Sequence, residues 1–141
     1  MREIKFKGLG VDGKWWYGET KPQGENHVNL ATFFANLHAG AINPETLGEY
    51  TGLHDKKGTE IYEGDILCSH SGLALPITVG KTHSYRFMWG KDLLCKADSI
   101  YGKVIGNIYE NTELMEVRNG QAAGMLQAIY ANPTRMPRAK P

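Results

Sequence analysis

Only two cysteines, Cys68 and Cys95, occur among the 141 residues, far apart and in apolar surroundings. Small disulfide-held secreted domains carry more, so no disulfide framework is expected and both read as buried thiols. No run of about 18 apolar residues is present, which excludes a membrane-spanning helix. Neither sign of charge is in excess: 16 Lys and Arg against 15 Asp and Glu leave +1, too little for a protein that coats a polyanion. The opening Met1-Arg2-Glu3-Ile4-Lys5-Phe6 alternates polar and apolar instead of showing the basic-then-apolar order of a secretory leader, so a cytoplasmic location is expected. What is present, 41% hydrophobic and 10% aromatic residues, is an ordinary globular composition. A chain of about 150 residues buries roughly two thirds of its unfolded surface and can hold a core without a structural metal.

The apolar residues fall in short pieces. Ile4 and Phe6 alternate with charged neighbours, and Trp15-Trp16-Tyr17 follows Val11-Asp12-Gly13, a pattern that predicts a hairpin. Gly8, Gly10 and Gly13 match the spacing of a dinucleotide loop, yet no amphipathic helix follows to aim its N-terminus at a pyrophosphate, so a turn is the reading and no cofactor is expected. After a loop at 21–26, Leu30, Phe33, Phe34 and Leu37 recur at helical spacing between an Asn29 cap and Gly40. Pro44-Glu45-Thr46 suits a turn or a first helical turn. Further on, Ala74 to Val79, Tyr85 to Trp89 and Val104 to Tyr109 read as short strands, and Glu63-Gly64-Asp65 as a turn entering a strand at Ile66 whose alternate residues face a core. Asp92 to Asp98 reads as one turn of helix, with Leu93, Leu94 and Ala97 on one face. A C-terminal helix is expected around Ala122, Met125, Leu126 and Ile129, stopped at Asn132-Pro133. Residues 118–141 contain Arg118, Arg135, Arg138 and Lys140 and no acid, so this tail carries +4, and the remaining 12 basic against 15 acidic residues leave −3 on 1–117.

Candidate chemistry is sparse. His54, Asp55, Glu60, Glu63 and Asp65 lie close in sequence and could supply acid–base work or a cation site, but no spacing places two carboxylates on one helix face and no nucleophile motif accompanies them. A solvated turn face is the preferred reading. Cys68, Ser69, His70, His83 and Cys95 lack the short paired spacing of a zinc site. No catalytic, cofactor-binding or metal-binding residue is therefore expected. Trp15, Trp16, Tyr17, Tyr85, Phe87 and Trp89, with Lys14, Lys81, Arg86 and Lys91 nearby, could form a base-stacking surface, although alternating aromatics more often fill a core. Adjacent Trp15 and Trp16 must face opposite sides of a regular strand. The stripe of Met125, Leu126 and Ile129 could dock on the chain's own body or on a second copy, and symmetric self-association is favoured.

Three blocks carry a resemblance: Met1 to Lys7; Tyr50-Thr51-Gly52-Leu53-His54-Asp55-Lys56-Lys57-Gly58-Thr59-Glu60-Ile61-Tyr62-Glu63-Gly64-Asp65-Ile66; and Val104-Ile105-Gly106-Asn107-Ile108-Tyr109-Glu110-Asn111. In order and spacing they resemble the YopX-like proteins of bacteriophages and prophages, over residues 1 to about 117, with 19–41 divergent and the tail from 118 outside the usual pattern. The resemblance implies a small cytoplasmic protein of a mobile element whose C-terminal part is an SH3-like barrel, and brings no catalytic residue or substrate with it. The expected architecture is mainly β: an N-terminal hairpin and short helix over 1–49, an SH3-like barrel over 50–117, and a helical, basic appendage over 118–141 with a disordered end. Gly52, Gly58, Gly64 and Gly106 are the expected sites where a Cβ is costly. The expected function is that of a non-enzymatic phage or prophage accessory protein, a self-associating protein-interaction module whose partners are a second copy or a phage or host protein. The candidate surface comprises Trp15, Trp16, Tyr17, Arg86, Trp89, Met125, Leu126 and Ile129; nucleic-acid binding through the aromatic and basic β surface is the alternative.

Overall fold

The computed structural model describes residues 3–81, 84–111 and 113–116. The chain divides between Gly52 and Leu53 into two compact units. Both are built mainly of short strands.

In the first unit, β1 (Lys5–Leu9) and β2 (Trp15–Glu19) form the expected antiparallel hairpin, with Lys5 opposite Glu19 and Leu9 opposite Trp15. Gly13, at φ +84°, supplies the left-handed turn residue. β4 (Gly48–His54) pairs with the other edge of β1, Phe6 opposite Glu49. A strand that the pattern does not announce, β3 (His27–Asn29), runs parallel to β2; three residues are too few to show alternation. It leads directly into α1 (Leu30–Ala39), where Asn29 Oδ1 accepts the Thr32 N–H at 2.8 Å and Gly40 ends the helix at φ +89°. Pro44–Thr46 makes the expected single turn, as a 3₁₀ helix, and Thr46 Oγ1 accepts the Leu9 N–H at 2.8 Å.

Phe33 of α1 is fully buried and rests on glycines. A Cβ at Gly18 would lie 2.7 Å from Phe33 Cβ, and one at Gly8 would lie 2.5 Å from Ile42 Cγ2. The bare backbone of β1 and β2 is what lets the helix sit this close. Phe6 meets Phe34 edge to face at 5.1 Å on the same side of the sheet.

In the second unit, β4 continues to pair with β5 (Glu60–Tyr62). The other strands are β6 (Asp65–Cys68), β7 (Ala74–Gly80), β8 (Arg86–Trp89), β9 (Asp92–Leu93) and β10 (Lys103–Asn107), with short helices α2 (Lys96–Tyr101) and α3 (Glu113–Glu116). They form an antiparallel sheet of order β10-β6-β7-β8-β9. Among the described residues this is an open row, and no closed barrel forms.

β6 corrects the expectation of one buried face. Ile66 and Leu67 are both fully buried, Ile66 in a cluster with Ala74 and Ile108, Leu67 in a cluster with Ile61 and Ile77. A strand covered on both faces reads as a continuous apolar run. Trp89, half-buried, packs against the second cluster and donates its indole N–H to the Leu67 carbonyl at 2.9 Å. The helical turn expected over Asp92–Asp98 is also displaced: Asp92 and Leu93 are drawn into the ladder opposite Trp89 and Met88, and α2 starts only after Cys95. The cysteines are not buried thiols, Cys68 being half-buried and Cys95 exposed. Gly52, Gly58 and Gly64 have positive φ as expected, whereas Gly106 is needed for space, since its Cβ would lie 2.5 Å from Asn111 Oδ1. The helix expected around Ala122 to Ile129 lies outside the described residues.

Candidate functional site

A concave feature of the first unit lies where the β1–β2 turn meets the end of α1. The backbone ties these parts together: Val11 N–H donates to Ala41 O at 2.9 Å, and Ala41 and Ile42 N–H both reach Asn36 O. A pocket of about 160 Å³ results, lined by Val11 and Asp12 of the turn, Trp16 of β2, Val28 of β3, Asn36 of α1, and Ala41 and Ile42 of the following loop. Its walls are mainly apolar, and its lining residue Val11 is 79% exposed.

One polar group is fixed at this pocket. Asp12 Oδ1 accepts the Lys14 N–H at 3.0 Å, and the Trp16 indole N–H lies 3.3 Å from each carboxylate oxygen. The Lys14 N–H above all, joined by the Trp16 indole and the Lys14 charge, outweighs desolvation and holds the Asp12 carboxyl below its ordinary value. Asp12 is therefore an anion at neutral pH, with an aromatic ring beside it. Gly10 makes the arrangement fit, because a Cβ there would fall 2.6 Å from Asp12 Oδ1 and 2.9 Å from the Trp16 ring. The glycines spaced like a dinucleotide loop thus have structural roles: Gly8 under Ile42, Gly10 under Trp16, Gly13 in the turn. Gly10→Ala is expected to push the indole off Asp12, read as a shift in the Trp16 indole N–H resonance.

Of the other predicted surface residues in the first unit, Trp15 and Tyr17 do not line this pocket. Trp15 and Trp16 face opposite sides, and Trp15 carries the Lys7 ammonium 4.9 Å above its ring. Tyr17 stacks on His27 at 4.6 Å, and His27 Nδ1 lies 2.5 Å from the buried carboxylate of Glu19. In the second unit Arg86 is exposed, whereas Trp89 and Phe87 pack on the Leu67 cluster. Lys14, Lys81 and Lys91 are exposed. Met125, Leu126 and Ile129 lie outside the described residues. Sequence reasoning singled out Trp16 but missed Asp12, Val28 and Asn36, which only the folding of α1 back on the hairpin brings to it.

The carboxylates near the 55–65 turns have structural work rather than a solvated face. Asp55 is buried; its Oδ1 accepts the Lys57 and Thr59 N–H groups at 2.8 and 2.9 Å, and its Oδ2 accepts that of Val104 at 2.9 Å. Burial pushes its carboxyl up, but the N–H groups of Val104, Thr59 and Lys57 and the Lys103 charge outweigh this and hold it below its ordinary value. Asp65, also buried, accepts the Tyr62 N–H at 2.8 Å, and Glu60 accepts the Tyr62 hydroxyl at 3.0 Å. Among the described residues no group of three His, Cys, Asp or Glu side chains is placed to hold a metal.

Comparison with known proteins adds two findings. A family model described as YopX protein matches residues 3–116. Among solved structures, the crystal structure of protein EF1440 from Enterococcus faecalis is similar, with a TM-score of 0.53 and 24% identity over 81% of this chain and 99% of that one, a likeness of fold. No curated protein matches the chain.

Proposed function

The chain belongs to the YopX protein family, and from that premise we propose that it is a self-associating protein-interaction module, a non-enzymatic accessory protein of a phage or prophage acting in the cytoplasm. The observation that carries the reading is the apolar pocket with a fixed anion, Asp12, beside the Trp16 ring. About 160 Å³ is the volume of roughly five waters, enough for one long side chain. A lysine or arginine suits it: the aliphatic stem meets Val28, Ala41 and Ile42, and the charge meets Asp12 and the indole face. We assign that side chain to residues 118–141 of a second copy, a segment of charge +4 without an acid, complementary to the −3 of residues 1–117. We also read the second unit as an SH3-like barrel left open; the meander β6 to β9, with β10 returned beside β6, is the path along which such a sheet curls toward closure.

Light scattering on a size-exclusion column tests this. The expected wild-type peak has a fixed multiple of 15.7 kDa, and Trp16→Ala, Asp12→Ala and truncation after residue 117 each bring it to the monomer mass. An unchanged mass in all of these contradicts the reading. Exposure of Tyr85 (69%) and Arg86 on β8 favours a second reading, nucleic-acid binding there, which predicts co-eluting absorbance at about 260 nm that is lost in about 0.5 M salt and on Arg86→Ala.

A further inference from the structure

The Asp55 hydrogen bonds join two segments far apart in sequence. Asp55 Oδ2 accepts from Val104 N–H, and Lys56 N–H donates to Gly102 O at 3.0 Å, so the turn after β4 sits against the junction of α2 and β10. This brings Lys56 and Lys57 beside Tyr101 and Lys103. All of these side chains are exposed, Tyr101 to 62%, and among the described residues the lysines make no close ion pair, Lys103 acting on Asp55 only through its charge. Asp55, the carboxylate at the centre of the corner, is buried, which pushes its carboxyl up, and accepts three backbone N–H groups that, with the Lys103 charge but not that of Lys56 or Lys57, hold it below its ordinary value. His70 stands 6.3 Å from the Tyr101 ring. The result is a basic corner around an exposed aromatic ring, on a chain whose residues 1–117 are net acidic.

We propose that this corner, Lys56, Lys57, Tyr101 and Lys103, binds single-stranded nucleic acid. Lysines offer point charges to successive phosphates and release their counterions, a contribution that any polyanion can collect. The exposed ring separates a single strand from the alternatives: it offers a stacking platform to an unpaired base, which a duplex keeps inside its stack and inorganic polyphosphate lacks. The site is independent of the Trp16 pocket, so it stands or falls apart from the interaction reading above.

The test is a fluorescence-anisotropy titration of the full chain with a labelled oligothymidine of about 12 nucleotides, at about 0.05 and 0.2 M salt. Combined Lys56→Ala, Lys57→Ala and Lys103→Ala is expected to weaken binding about tenfold or more at the lower salt and to reduce the log–log salt slope by about 2, from three phosphate contacts on a single strand. Tyr101→Ala is expected to weaken oligothymidine binding at least about fivefold, leave the salt slope unchanged, and leave inorganic polyphosphate binding unchanged. The network that forms the corner uses backbone N–H groups and Asp55, so the urea midpoint of Tyr101→Ala should match wild type, and that of the triple variant should fall only slightly, by loss of the Lys103 charge near Asp55. Absence of oligothymidine binding overturns the proposal. Binding that survives in the triple-lysine variant assigns the affinity to other charges, such as those of residues 118–141, and also overturns it. Indifference to Tyr101→Ala reduces the corner to a general anion site and refutes the nucleic-acid assignment.

Discussion

Asp55→Ala lowers the stability of the second unit by about 2–4 kcal/mol, because one side chain satisfies three backbone N–H groups. Those of Lys57 and Thr59 lie in an exposed turn and can turn to water; that of half-buried Val104 has less access to it. Asp55→Asn separates the contributions. An asparagine oxygen can keep the Lys57 and Thr59 bonds, but its NH₂ group then faces the Val104 N–H, donor against donor. Its expected signature is faster hydrogen exchange at the Val104 amide, with the turn amides little changed. The same carboxylate sets an acid limit. Its folded pKa lies below the ordinary 3.8, so its stabilisation is complete above the unfolded value and is lost as pH falls from about 4 through the folded value. Urea midpoints measured from about pH 6 down to pH 3 should fall more steeply for wild type than for Asp55→Asn. Equal slopes and an equally protected Val104 amide would show that the hub carries no such load.

The second large effect is expected in the first unit. Phe33→Ala costs about 3–5 kcal/mol, the usual range for deleting a buried aromatic side chain. The site is poorly able to relax, because one wall is the backbone of Gly8 and Gly18, with no side chains to swing into the void. Phe33→Leu should cost less, as the volume is partly kept. Gly18→Ala fails for the opposite reason, setting a methyl 2.7 Å from Phe33 Cβ, and should cost about 1–3 kcal/mol. Hydrogen exchange at the Tyr17 amide, which donates to Asn26 O across to β3, reports loss of this packing directly. A Phe33→Ala protein with wild-type exchange there contradicts the assignment of Phe33 as the keystone of α1.

What was legible in the sequence was local. The first hairpin, the Asn29 cap, the Gly40 stop and the Pro44 turn each depend on residues within a few positions, so the chemistry of cap and turn announces them. The misses share a cause in tertiary pairing. Leu93 and Leu94 look helical with Ala97 until β8 offers Leu93 a ladder partner. Ile66 and Leu67 are neighbours on opposite faces, and only cover on both sides makes both core residues. At the site, Trp16 stands out by residue type, but the role of Asp12 depends on the ring folding back over Gly10, and no spacing rule encodes that. Asp55 was visible as a turn acid, yet its partner Val104 is 49 residues away, and so is the meeting of the lysines that this bond creates.

The central claim, that the Trp16 pocket of one copy receives the basic tail of another, is tested most directly by adding a synthetic peptide of residues 118–141 to the full-length protein. Light scattering and the Trp16 indole N–H resonance are followed together. The account predicts that the peptide displaces the tail of the neighbouring copy, bringing the assembly to monomer mass, with shifts at the Trp16 indole and at the Val11, Val28 and Ala41 amides, and that Asp12→Ala abolishes both responses. An assembly mass that ignores the peptide, with the Trp16 indole unmoved, would contradict it.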